Sequence, residues 1–383
     1  MRQTDTWLAS IAGLVAASTF AIGAQAADMP KTMTWTAYGT TSSGYAQVVA
    51  IGNMLKNRFG VSVRPLPGKN DVSRMGPLKS GRAQFCACGI AAYFGQEGVF
   101  LFAKKGWGPQ PIRILMNSVG TFGLSVAVAG DVKAKTWADM KGKRIAFVRG
   151  APALNNNALA FLAFGGLTWK DVKKVPVSGF SASFNAIING QADAAFSSTV
   201  SPVTKKLAAS PRGIKWIPLD PNNKEGWNRM WKVSPYFLKA RVTIGTKISK
   251  DKPVQSANYP YPILVTNAKT KAGMVQAVVQ AMIKHYDDYK KGAPGASGWA
   301  LGNQKFQWVM PYHGGAVAAF KAAGKWSAAD QAHNDKLVKR QGVLGAAWKA
   351  YLATNPSDDG FAKGWMAARA KALSAASMPV IYK

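Results

Sequence analysis

From Met33 to Phe196 the chain runs twice through the same order of strand-like and helix-like segments, and this repetition constrains the fold most. Met33–Tyr38 reads as a strand and Gly39–Gly44 as a Thr/Ser-rich loop. Tyr45–Arg58 reads as a helix with Val48, Ile51 and Leu55 on one face. Val61–Pro65 is the next strand, 71–79 a helix stopped at Gly81, and Ala83–Cys88 a buried strand. A β-α-β-α-β order with short connections predicts an α/β domain with a mostly parallel sheet. Such sheets bind ligands outside the carboxyl ends of their strands.

The same grammar restarts at Thr136-Trp-Ala-Asp139, whose spacing is that of a capping box. A short helix to Lys141 is expected there, then a strand at Ile145–Val148, which sets the basic cluster Lys141-Gly-Lys143-Arg144 at a helix carboxyl end. Asn155–Phe164 reads as a helix, Thr168–Asp171 as a second cap before a short helix, and Val175–Val177 as a strand. Ser183–Asn189 (helix) and Ala192–Phe196 (strand) complete the repeat. Beyond Val242 follow a strand at Ile263–Thr266 and a long helix at Lys271–Tyr289.

If that late strand returns to the first sheet, the second domain is an insertion and two crossing segments form a hinge. The expected fold is therefore α/β and two-lobed, with parallel or mixed sheets. Residues 27–127 and 247–320 make the first domain, 128–246 the second, and 321–383 a helical C-terminal extension. In that extension Lys336–Tyr351 and Phe361–Leu373 read as helices, either docked across the back of a domain or presenting an amphipathic surface to a membrane or permease.

Residues 1–26 read as an export signal: Arg2, an apolar run from Trp7 to Gly23, and the small-x-small site Ala24-Gln25-Ala26. The run is short and rich in small residues for a bilayer span of ~20 apolar residues. The mature chain then begins at Ala27, with a periplasmic or extracytoplasmic location.

The charge is lopsided, with 49 Lys+Arg against 17 Asp+Glu and a formal net charge of +32. Nucleic acid is a partner to consider for such a chain. The basic residues are scattered singly or in pairs, however, without a basic arm, zinc-ligand spacing or single-strand-binding aromatics. With an export signal, no nucleic-acid partner is expected. Cys86 and Cys88 would point to one strand face about 7 Å apart, and two small buried thiols are the favoured reading.

Catalytic signatures are missing from the sequence. His285, His313 and His333 lie in no ligand-spaced cluster, and there is no nucleophile elbow, phosphate loop or dinucleotide fingerprint. No enzyme activity, cofactor or metal is expected. His313, in Pro311-Tyr-His-Gly-Gly-Ala316, is read as fixing a turn.

Five segments in order carry a resemblance. They are Gly39-Thr-Thr-Ser-Ser-Gly44-Tyr45; Asn70 followed by Leu78-Lys-Ser-Gly81-Arg-Ala83; Asp139-Met-Lys-Gly-Lys-Arg-Ile145; Ile188-Asn-Gly-Gln-Ala-Asp193-Ala-Ala-Phe196; and Pro311-Tyr-His-Gly-Gly-Ala316. Together they resemble the TAXI-type solute receptors of tripartite ATP-independent periplasmic (TRAP) transporters, from about Thr34 to Phe320. The resemblance implies a two-lobed periplasmic-binding-protein fold, a small organic anion (carboxylate or amino acid) in the cleft, and delivery to an integral-membrane TRAP permease. A receptor for an ABC transporter and an exported enzyme on the same scaffold are the alternatives. A monomer is expected. The chain departs from the family pattern at Ala151-Pro-Ala-Leu154, at Gly89-Ile90, and in its length beyond Phe320.

The candidate ligand residues follow from both lines. Thr40, Thr41, Ser42 and Ser43 offer hydroxyls and free amides at a helix start, a setting that attracts anions. Asn70 belongs to the second matching segment. Asn155 and Asn156 are candidates from the second domain, Arg149 for a two-pronged carboxylate contact, and Tyr45, Tyr259 and Tyr261 as aromatic walls.

Overall fold

The computed structural model describes residues 29–382. The expected export signal, 1–26, and its cleavage site near Ala26 lie outside the described residues.

The chain opens with β1 (Thr32–Tyr38), α1 (Ser43–Phe59), β2 (Ser62–Gly68), α2 (Asp71–Lys79), β3 (Phe85–Cys88), α3 (Ala91–Glu97) and β4 (Ile112–Asn117). Local chemistry sets these boundaries. Ser42 accepts a 3.1 Å hydrogen bond from the Tyr45 amide and starts α1, and Gly60 ends it at φ 68°, where a side chain would be strained. Asn70 and Ser73 form a capping box at the start of α2. Along α1, Val48, Ile51 and Leu55 face the sheet and are buried.

The chain then crosses to a second body. It contains β5 (Leu124–Ala129), β6 (Arg144–Val148), α4 (Pro152–Phe164), β7 (Lys173–Val177), α5 (Phe180–Ile188), β8 (Ala194–Ser198), α6 (Pro202–Ala209), β9 (Ile214–Trp216) and α7 (Lys224–Val233). A two-stranded ribbon follows, β10 (Leu238–Val242) with β11 (Val254–Asn258), before β12 (Ile263–Asn267) re-enters the first body.

The two five-stranded sheets share one plan. The first has the order β2-β1-β3-β12-β4 and the second β7-β6-β8-β5-β9. In each, three parallel strands are followed by one antiparallel strand, β12 or β5, that comes directly from a crossing segment. The sheets are therefore mixed, each with four strands running one way and one strand against them. Because β5 lies wholly in the second sheet, the expected first boundary at 127/128 falls inside a strand, and the crossing runs before Leu124. The return crossing likewise follows β11 rather than residue 246. Asn258 ties the two crossings together, its amide donating to the Gly120 and Phe122 carbonyls at 3.1 and 2.9 Å.

Several local expectations need correction. Thr168–Asp171 starts no helix: the Asp171 carboxylate accepts from both the amide and the hydroxyl of Thr168 and closes a turn. The Thr136 cap leads into a single 3₁₀ turn, Ala138–Met140, so the basic cluster lies at no α-helix end, and Arg144 pairs with Asp193 at 2.7 Å. Helix α4 begins at Pro152, whose missing amide suits a helix start, three residues before Asn155. The expected Lys271–Tyr289 helix breaks at His285 into α8 (Ala272–Lys284) and α9 (Tyr286–Tyr289). Cys86 and Cys88 are joined in a disulfide; their Cα atoms are 5.3 Å apart, closer than the regular strand spacing on which the two-thiol expectation rested.

The C-terminal region is helical: α10 (Gly314–Ala322), α11 (Ala328–Ala353) and α12 (Phe361–Ala375). His313 caps α10 by accepting from the Gly315 amide. On α12, every fourth residue from Phe361 through Trp365, Arg369 and Leu373 is buried. Glu97, fully buried, receives both Arg340 of α11 (2.8 and 2.7 Å) and Arg369 of α12. Among the described residues no helix is long and apolar enough to cross a membrane.

Candidate ligand-binding cleft

The loops after β1, β6, β7 and β8 all open toward the space between the lobes, and each runs into a helix. A small cavity of about 20 Å³ lies there. The first turns of four helices line it: Ser42 before α1, Ala153 and Leu154 of α4, Phe180 of α5, and Ser201 before α6. A helix amino end carries roughly half a positive charge; at α4 the Asp71 carboxylate already takes the first amide, that of Ala153. Tyr38, Tyr259, Tyr261, Phe196 and Asn157 complete the wall, and no lining residue is acidic.

The tyrosines are held in place. A β-carbon on Gly44 would lie 3.1 Å from the Tyr261 hydroxyl, so that hydroxyl sits against the start of α1. Asn157 donates to Tyr259 at 3.0 Å and accepts from Tyr236 at 2.7 Å. Burial pushes the Tyr38 hydroxyl up to about 12 and drives those of Tyr259 and Tyr261 up as well. All three are therefore neutral hydrogen-bonding groups at neutral pH.

The lobes touch through polar contacts beside this cavity. Thr41 and Ser181 share a 2.8 Å hydroxyl hydrogen bond. The Asp71 amide donates to the Gly150 carbonyl at 3.1 Å, and the Asn70 side chain to the Arg149 carbonyl at 3.4 Å. The Asp71 carboxylate accepts from the Ala153 amide at 2.7 Å while ion-paired with Arg74. Arg74 in turn lies 3.6 Å over the Tyr38 ring. Burial pushes the Asp71 carboxyl up, opposed by Arg74 and by the Ala153 amide.

Of the residues singled out from the sequence, Ser42, Tyr259 and Tyr261 line the cavity. Ser43 is buried in the first turn of α1, Tyr45 is half-buried, Thr41 bridges to the second lobe, and Thr40 is exposed. Asn70 caps α2 and reaches the second lobe. Arg149 is exposed and meets Asn70 through its carbonyl, not its guanidinium, so it supplies no buried clamp. Asn155 turns back onto Val148, bonding both its amide and its carbonyl. Asn156 donates to Val233, Ser234 and Tyr236, and both asparagines border a separate surface pocket. The third asparagine of that run, Asn157, is the one at the cavity. Helix phase decides this, since a start at Pro152 turns residue 157 rather than 155 inward.

Sequence reasoning passed over Tyr38, Asp71, Arg74, Phe180 and Ser201. Only Ser201, one residue before Pro202, carried a visible helix-start signal. Among the described residues no group of three or more His, Cys, Asp and Glu side chains is arranged to hold a metal.

A family match spans residues 37–324, three quarters of the chain. The chain belongs to the NMT1-like family. This NMT1-like chain has the two-lobed periplasmic-binding-protein fold, recognisable in the paired sheet orders with their exchanged antiparallel strands. No curated protein matches it. Among solved structures it is similar to the alkanesulfonate-binding protein SsuA from Xanthomonas axonopodis pv. citri bound to MOPS. That pair has 15% identity over 79% of this chain and 94% of that chain, with a TM-score of 0.43. It is similar also to the periplasmic aliphatic sulphonate binding protein SsuA from Escherichia coli, at 14% identity over 82% and 88% with a TM-score of 0.41. An ancestral arginine-binding protein bound to arginine is 16% identical over 71% of this chain and 99% of that chain, with a TM-score of 0.42.

Proposed function

We propose that this NMT1-like protein is a non-enzymatic, extracytoplasmic solute receptor that closes on a small organic carboxylate and delivers it to a membrane permease. The observation that carries this reading is the meeting of four helix amino ends at a neutral, tyrosine-walled cavity between the lobes. An anion is stabilised there without a dedicated cation. The lining offers no acidic side chain to an ammonium group, and nearby Asp71 is engaged by Arg74 and Ala153. A carboxylate without an amino group therefore suits the site better than an amino acid.

The closed cavity has room for little more than one water. Ligand entry requires the lobes to part about the paired crossings at Asn258, and a ligand touching both lobes shifts the population back toward closure. The permease partner suggested by the five matching segments is of the TRAP type. A permease gene of that type beside this one would support it, and an ATPase gene there would favour an ABC importer instead.

The test is a thermal-shift and calorimetric screen of the protein from Ala27 onward against mono- and dicarboxylates, sulfonates, amino acids, sugars and polyamines. Saturable stabilisation by carboxylates is expected, because only native-state binding raises stability in this way. Stabilisation confined to sugars or polyamines would overturn the anion site, and chemical turnover of a bound solute would overturn the receptor reading.

A further inference from the structure

A second, larger recess lies away from the cleft. Helix α12 packs its Phe361–Trp365–Arg369 face inward, and its next face carries Ala362, Met366, Ala370 and Ser374. A groove of about 1090 Å³ lies between this face of α12, the carboxyl end of α7 and the outer face of α4. Its floor is apolar, with Val99 and Phe100 from the first lobe, Leu159 and Val233 from the second, and Tyr382 closing one end. Phe100 is 40% exposed and is held at a positive φ of 54°, an uncommon conformation for so large a residue.

Two lysines set the electrostatics. Lys232, in the last turn of α7, and Lys363, in the first turn of α12, both line the groove from its two walls. Both are exposed, and among the described residues no ion pair engages either of them and no acidic side chain lines the groove. A wide apolar floor between two unneutralised cations is complementary to one kind of small molecule: an amphiphile with a hydrocarbon body and an anionic head.

We infer that this groove binds a single-chain anionic amphiphile of the fatty-acid type, with its chain along Phe100, Leu159 and Met366 and its carboxylate between Lys232 and Lys363. The groove shares no lining residue with the cleft cavity, although both lobes contribute to it.

Calorimetric titration with octanoate, decanoate and dodecanoate tests the inference, with dodecanol and dodecyltrimethylammonium as uncharged and cationic controls. One dodecanoate per chain is expected. Each pair of added methylenes should tighten binding by roughly tenfold. The double variant Lys232→Glu/Lys363→Glu should weaken dodecanoate by about tenfold, and Ala370→Trp, which intrudes on the groove, should weaken it as well. Absence of dodecanoate binding, equal affinity for dodecanol, or binding unaffected by Ala370→Trp would overturn the inference.

Discussion

The Asp71 carboxylate of the first lobe accepts a 2.7 Å hydrogen bond from the amide of Ala153 in the second. Pro152 has no amide, so Ala153 presents the first donor of α4, and Asp71 caps from across the cleft a helix that its own lobe leaves uncapped. The protein thus already holds one carboxylate at a helix start beside the cavity. Arg74 balances it on the other side.

Removing that carboxylate therefore has two effects. Asp71→Ala leaves Arg74 buried without a counter-charge, which costs about 3–5 kcal/mol, and it frees the α4 amides. Denaturant titration should give that loss with little change in slope, and small-angle scattering should report a larger radius of gyration. Asp71→Asn, which still offers an oxygen to Ala153, should open the lobes less. Wild-type stability and radius in Asp71→Ala would remove the latch from the account.

Gly89 is required by its neighbours rather than by its own backbone. A β-carbon there would stand 2.5 Å from the Tyr38 hydroxyl and 3.3 Å from the Tyr261 ring. The two rings meet edge-on at 5.6 Å and are packed among buried residues. Gly89→Ala should consequently lower stability by about 1–3 kcal/mol, the usual range for overpacking, and weaken any carboxylate found to bind in the cleft. A crystal structure of the variant should have Tyr38 displaced. Unchanged ligand affinity in Gly89→Ala would mean that the tyrosine wall does not shape the site.

The hinge makes its own prediction. The Asn258 amide bonds two carbonyls of the first crossing, those of Gly120 and Phe122. Asn258→Ala strands two acceptors, at a cost of about 1–3 kcal/mol. Hydrogen exchange should quicken in both crossings together, residues 118–123 and 258–262. Faster exchange in one crossing alone would refute the idea that they act as a pair.

The strand and helix rhythm was legible because each element's local signals agree with its place in the fold. Asn70 with Ser73 marks a true helix start, and Val48, Ile51 and Leu55 mark a true inner face. The capping spacings at Thr136 and Thr168 misled because a carboxylate three residues after a threonine closes an isolated turn as readily as a helix. The site was harder to read. Ser42, Tyr259 and Tyr261 sit in conspicuous loops, whereas Tyr38, Asp71 and Arg74 lie inside regular elements and matter only once the two lobes meet. Arg149 looked like a clamp from its place at a strand end, but the chain turns there and offers only its carbonyl. Contacts between lobes join residues some 80 to 140 positions apart, and periodicity carries no information over that distance.

The C-terminal helices depend on a single acid. Burial pushes the Glu97 carboxyl up, but the guanidiniums of Arg340 and Arg369 outweigh burial and hold it below its ordinary value of 4.5. A folded-state value below the unfolded one means that the unfolded chain binds the proton more readily, so stability falls with acid. The contribution is complete above pH 4.5 and is lost as pH drops through the folded-state value. Protonation there leaves two buried arginines facing a neutral carboxyl, and α11 and α12 lose their shared anchor. Hydrogen exchange across Phe361–Ala375 should therefore accelerate as the pH is lowered below that point, ahead of the strands of either sheet. Glu97→Gln should give the same fast exchange already at neutral pH, with a stability loss of about 3–5 kcal/mol. If Phe361–Ala375 in Glu97→Gln stays as protected as in the wild type, the helices are held by the Trp365 packing alone and the ion cluster is incidental.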